Sequence, residues 1–121
     1  MENFIVTLTA IPGKEQEITD FYTNKSLLAE YADAKGFRGR KIFRARPGTM
    51  ADHLRKVMTA EQMAQHPDPG SDGSVHFIII EQWESIDDRM AFSATQDKSR
   101  NAALFPNLKP EHTHEYYKQI L

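Results

Sequence analysis

Cysteine is absent from this chain, which excludes disulfides, thiolate metal ligands and cysteine nucleophiles. Positive charge is not in excess either. Fifteen Lys and Arg stand against 17 Asp and Glu, a net charge of −2, so neither nucleic acid nor an anionic membrane is expected as a partner. No apolar run approaches the ~18 residues of a membrane span. The opening Met1-Glu2-Asn3-Phe4 has no basic leader segment, and the expectation is a soluble cytoplasmic protein. There is no Ser–His–Asp order, no Gly-rich phosphate loop and no paired-carboxylate spacing. Tryptophan occurs once, as Trp83.

What is present fits one domain, residues 1–121, at 40% hydrophobic composition. A domain this small has little stability in reserve, and association would help it. The chain is organised around His76-Phe77-Ile78-Ile79-Ile80-Glu81-Gln82-Trp83, a β-branched run that reads as a central strand. Alternation puts Phe77, Ile79, Glu81 and Trp83 on one face, and His76, Ile78, Ile80 and Gln82 on the other. The second face, apolar at its centre, is expected to lie under helices. The first has the look of a pocket wall.

Asn3 to Thr9 alternates as a first strand and breaks at Ile11-Pro12-Gly13. Lys14 to about Ala32 reads as a helix, and Phe37 to Arg46 as a second strand. Its Phe37, Lys41 and Phe43 are expected on the helix side, with Arg38, Arg40, Ile42, Arg44 and Arg46 opposite. Residues 49–73 are too long for a hairpin and read as an insertion. Within it Thr49 starts a short helix, and Thr59 with Gln62 forms a capping box. After the central strand Ser85 and Asp88 announce a helix to Thr95. Helix continues past Gln96 to Leu104, and Glu111 to Ile120 is the last strand.

The order strand–helix–strand, insertion, strand–helix–strand predicts an α+β fold: a ferredoxin-like split βαβ arrangement, its antiparallel sheet carrying helices on one face. The face bearing Phe77, Ile79 and Trp83 is too apolar to stay wet, and a second subunit is the economical cover.

Ile11-Pro12-Gly13-Lys14-Glu15, then Gly36-Phe37, then Phe77 to Ser85 resemble the antibiotic biosynthesis monooxygenase family of the dimeric α+β barrel superfamily. The likeness covers nearly all of the chain outside 49–73, and Glu81-x-Trp83-x-Ser85 is its most specific part. The resemblance implies a homodimer with facing sheets and a pocket in each subunit. It also implies oxidation of polycyclic phenols by O₂ with no cofactor, an activity of some members; others degrade haem. Trp83 matches a strand-three Trp that family monooxygenases place in the pocket. Phe92 stands where many members carry a His, and Val6 and Thr7 occupy the zone of the Asn that haem degraders need, so haem degradation is not expected.

The pocket candidates are therefore Trp83, Glu81, Ile79, Phe77, Arg40, Thr7 and Phe92. No catalytic residue is assigned, and no metal site is expected. His112 and His114 share a strand face, but no carboxylate cluster accompanies them. Glu81, between Ile79 and Trp83, needs a cation, and Arg40 or Arg44 of strand two is the expected partner. The leading functional reading is a monooxygenase acting on a small aromatic molecule, with a non-catalytic binding or sensing module on the same fold as the alternative. A purely structural subunit is a third.

Overall fold

The computed structural model describes all 121 residues. Four strands form one antiparallel sheet: β1 (Glu2–Ala10), β2 (Phe37–Arg44), β3 (Val75–Trp83) and β4 (Leu108–Tyr117), in the order β2-β3-β1-β4. That is the order of a ferredoxin-like split βαβ sheet, as expected from the element sequence. β1 and β3 lie at the centre because each alternates apolar side chains over its whole length.

The first helical region is two helices, α1 (Glu15–Thr23) and α2 (Lys25–Asp33), where the sequence reads as one. Asn24 causes the break. Its side chain accepts hydrogen bonds from the backbone N–H groups of Ser26 and Leu27, a local N-cap that competes with continued helix. In the insertion, α3 (Thr49–Val57) is followed by α4 (Ala60–Ala64), and Thr59 and Gln62 form the reciprocal capping box read from the sequence. Ser85 caps α5 (Ile86–Thr95) by accepting from Asp88 N–H at 3.0 Å. Asp97 then caps a separate α6 (Lys98–Ala102), and a 3₁₀ turn (Phe105–Asn107) leads into β4.

β4 begins at Leu108, before Pro110, and not at Glu111. Proline is tolerated there because β4 is an edge strand and its register against β1 shifts between Leu8 and Ala10. The missing N–H falls in that irregularity.

The two faces of β3 are the reverse of the sequence expectation. Phe77, Ile79, Glu81 and Trp83 are buried under the helices, whereas Ile78 and Gln82 are exposed and His76 and Ile80 half-buried on the open face. The main core joins Leu8, Ala10, Val75, Phe77 and Ile79 of the sheet to Ile18 and Leu104. A second cluster joins Trp83 to Leu27, Tyr31 and Phe92. The pairing of β1 explains the assignment. Phe4, Val6 and Leu8, on the side of β1 that is apolar after Glu2, stand opposite Glu81, Ile79 and Phe77 and carry that side of β3 into the core with them.

β2 follows the same logic after a correction. Phe37 pairs with Trp83 but Gly39 with Gln82, so one extra residue is accommodated at Arg38. Gly39, at φ 148°, supplies the backbone conformation this irregularity needs. Phe37 and Arg40 therefore both face the helices, whereas Lys41 and Phe43 face outward.

Candidate functional site

Glu81 is 2% exposed, an acidic side chain inside the apolar layer. Its two oxygens receive three donors. Tyr31 Oη donates to Oε2 at 2.7 Å, and Trp83 Nε1 and Arg89 Nε donate to Oε1 at 2.9 and 2.7 Å. A buried carboxylate is tolerated when its charge is matched and its lone pairs are used, and both conditions hold here. The cation is Arg89 of α5 and not the expected Arg40 or Arg44. Arg40 instead donates from Nη2 to the Tyr22 carbonyl at 2.8 Å and lies 4.1 Å from the centre of the Tyr31 ring. Arg44 reaches Gln16, Thr19 and Glu15 of α1.

The Ser85 N-cap fixes the phase of α5 and explains why Arg89 wins. With Ser85 as N-cap, Arg89, Phe92 and Ser93 recur at i, i+3 and i+4 and turn toward the site, with Gln96 following as the C-cap. Arg89 is held further by Ser93 Oγ, which accepts from its Nη1, and its guanidinium lies 4.4 Å from the Phe4 ring centre. This residue was readable from the helix phase and the sequence reading missed it.

Beside this network lies a cavity of about 260 Å³, between the β1–β4 half of the sheet and the helices. Val6, Leu8, Ile79, Leu104 and Leu108 give it apolar walls; Tyr22, Glu81, Arg89, Gln96, Asn101, His112 and His114 supply its polar groups. Burial, with the negative charge of Glu81 added, pushes the Tyr22 phenol up to about 12, against the opposing pull of Arg40 and Arg89. The same causes raise Tyr31, whose hydroxyl is also committed to Glu81. Both are hydrogen-bond donors and poor bases.

Of the sequence candidates, Glu81 and Ile79 line this cavity. Trp83 and Phe77 are wholly buried in the core, and Phe92 packs with its ring centre 4.5 Å from Tyr31 and 5.3 Å from Trp83. Arg40 sits behind Tyr22 and Tyr31 with Nη1 buried and unpartnered. Thr7 is on the other face of the sheet, hydrogen-bonded to Thr113. The sequence reading placed Trp83 and Glu81 in one open cleft; the structure buries both beneath the helices, and the cavity opens one strand over, toward β4. No group of three or more His, Asp or Glu side chains is placed to hold a metal ion.

No protein-family model matches the sequence, and no curated protein matches it either. Similarity appears at the level of structure. The chain resembles an antibiotic biosynthesis monooxygenase with a TM-score of 0.63 at 13% identity, covering 100% of both chains. The chain has the antibiotic biosynthesis monooxygenase fold. A variant of SnoaB, a cofactor-independent oxygenase from Streptomyces nogalater, superposes with a TM-score of 0.59 at 16% identity over 99% of this chain and 93% of that one. A conserved protein from Methanosarcina mazei gives 0.62 at 15% identity over 98% and 91%. Such likeness establishes architecture, and chemistry has to be argued from the cavity itself. No helix is long and apolar enough to cross a membrane.

Proposed function

We propose that this chain is a homodimeric cofactor-independent monooxygenase that oxidises a small phenolic aromatic molecule. The cavity carries the reading: about 260 Å³ with apolar walls and a group of polar side chains toward β4. Ligand pockets span roughly 300–1,000 Å³, so this one selects a compact ring system. Apolar walls hold the ring, while Gln96, Asn101 and the histidines meet its hydroxyl. A phenol and O₂ then give a quinone and water: one oxygen atom enters the ring, the other leaves as water, and two hydrogens are lost from the substrate. The structural likeness to a cofactor-independent oxygenase supports this chemistry.

The dimer rests on the open face of the sheet. Ile5 and Ile80 are cross-strand partners there, next to Ile78 and Phe43, which are themselves paired. Phe43 is half exposed, and Ile78 beside it is exposed as well. A second copy presenting the same stripe would close it into a barrel.

The test supplies anthrone and α-naphthol under isotopically heavy O₂. One heavy atom in the quinone is expected. O₂ consumption no faster than in buffer would exclude the oxygenase. The non-catalytic binder is favoured by one observation, that both oxygens of Glu81 are occupied by donors. It predicts saturable quenching of Trp83 fluorescence by the same phenols with no product.

A further inference from the structure

We propose that His112 is the general base of this site, taking the hydroxyl proton of a phenolic ligand on Nε2. The inference rests on the cavity being the ligand site. Groups lining it that can receive a proton are few: Glu81, Tyr22, Tyr31, His112 and His114, and the Tyr31 hydroxyl is committed to Glu81. Both oxygens of Glu81 are bound by Tyr31, Trp83 and Arg89. Tyr22 holds its own proton far into the alkaline range because it is buried beside a carboxylate. That leaves the two histidines of β4.

Geometry separates these two. His112 Nδ1 lies 3.0 Å from the carbonyl oxygen of Pro110. A carbonyl oxygen only accepts, so Nδ1 carries the hydrogen of that bond. In the neutral ring Nε2 is then the nitrogen with the free lone pair, the tautomer a base requires. Pro110 makes this possible because the β4 register against β1 is shifted at that point, between the pairs Leu8–His112 and Ala10–Leu108. His114, whose ring centre is 5.6 Å away, has the neighbouring place on the same strand face. Other ionisable groups on the cavity wall are Tyr22 from α1, Tyr31 from α2, Glu81 from β3 and Arg89 from α5.

The step is a single proton transfer. The ligand O–H bond breaks, an Nε2–H bond forms, and the phenolate faces an imidazolium that now donates to it. Gln96 completes the arrangement. Its Oε1 accepts from Arg100 Nη2 at 3.0 Å, which leaves its amide N–H groups free to donate to the phenolate oxygen.

The experiment uses para-nitrophenol, whose visible absorbance reports its ionisation without turnover, with the full chain and its His112→Phe and His112→Gln variants. Binding is followed separately by Trp83 fluorescence. In the wild-type protein the ionisation constant of the bound phenol should rise on the order of tenfold over that in water. Both variants should bind but lose that rise. Equal rises in all three proteins would remove His112 from the role while leaving the cavity as the ligand site. No saturable binding to the wild-type chain would overturn the site and the base together. His112 is exposed on an edge strand, so the variants are expected to fold, which circular dichroism checks.

Discussion

Arg89→Met removes the charge that balances Glu81 but keeps most of the apolar stem that packs on Phe4. The two side chains are 12% and 2% exposed and lie 2.7 Å apart, so water screens the pair little. Breaking a buried pair from one side costs about 3–5 kcal/mol. Tyr31 and Trp83 still donate to the carboxylate in the variant, which points to the lower end, about 3 kcal/mol. That is a large share of the roughly 5–15 kcal/mol that holds a domain folded. The companion change Glu81→Gln removes the buried charge. In the double variant most of the Arg89→Met loss should be recovered, giving a coupling of about 2 kcal/mol or more. Urea unfolding followed by Trp83 fluorescence measures all four corners of the cycle, at one fixed protein concentration because association would add to stability. A loss below about 1 kcal/mol for Arg89→Met, or a coupling within ~0.5 kcal/mol of zero, would refute the claim that this ion pair is energetically isolated from water.

Phe77→Ala and Ile79→Ala should each cost about 2–5 kcal/mol in the same unfolding assay, Ile79 toward the lower end because it borders the cavity, since both are buried beneath the helices; losses under ~0.5 kcal/mol for both would contradict that burial. Alkaline pH should destabilise the fold through Tyr22. Its phenol moves from 10.0 to about 12 on folding, so below pH 10 both states keep the proton and stability is flat. Above it the unfolded chain ionises first, and stability falls as pH rises toward about 12. Tyrosinate absorbance tracked beside the unfolding midpoint tests this, with Tyr22→Phe expected to weaken the fall. Finally, sedimentation at micromolar concentration should give a dimer that Ile78→Asp and Ile80→Asp convert to monomer. A monomeric wild-type chain would end that proposal.

Much of the architecture was legible because it depends on local signals. The Thr59–Gln62 and Ser85–Asp88 pairs fix helix starts through hydrogen bonds a few residues apart; the first is the full reciprocal box, whereas at the second only the Ser85 hydroxyl caps and the Asp88 carboxylate does not return the bond. The long strands of Ile and Phe residues were equally clear. Errors arose where one residue changes the count. Asn24 splits the first helix with its own side chain. The extra residue at Arg38 moves Phe37 and Arg40 onto one face, which strict alternation forbids. Sequence periodicity carries no signal for a bulge beyond the glycine beside it.

The inverted sheet face has a different origin. Both sides of β3 are apolar, so β3 alone leaves the choice undetermined, and the carboxylate of Glu81 drew the reading toward an open cleft. The deciding residues were on β1, where Phe4, Val6 and Leu8 form an unmixed apolar side while Ile5, Thr7 and Thr9 do not. Antiparallel pairing obliges facing residues of β1 and β3 to share a side, and the purer face goes to the core. Glu81 then lies among apolar neighbours because Tyr31, Trp83 and Arg89 converge on it from three elements. A carboxylate so fully engaged strengthens the scaffold and is withdrawn from proton chemistry. Part of the polar wall of the cavity comes instead from β4, an edge strand, where His112 and His114 face the cavity. A buried ion pair at the centre and imidazoles at the edge divide the work between holding the fold and the proposed handling of a ligand's proton.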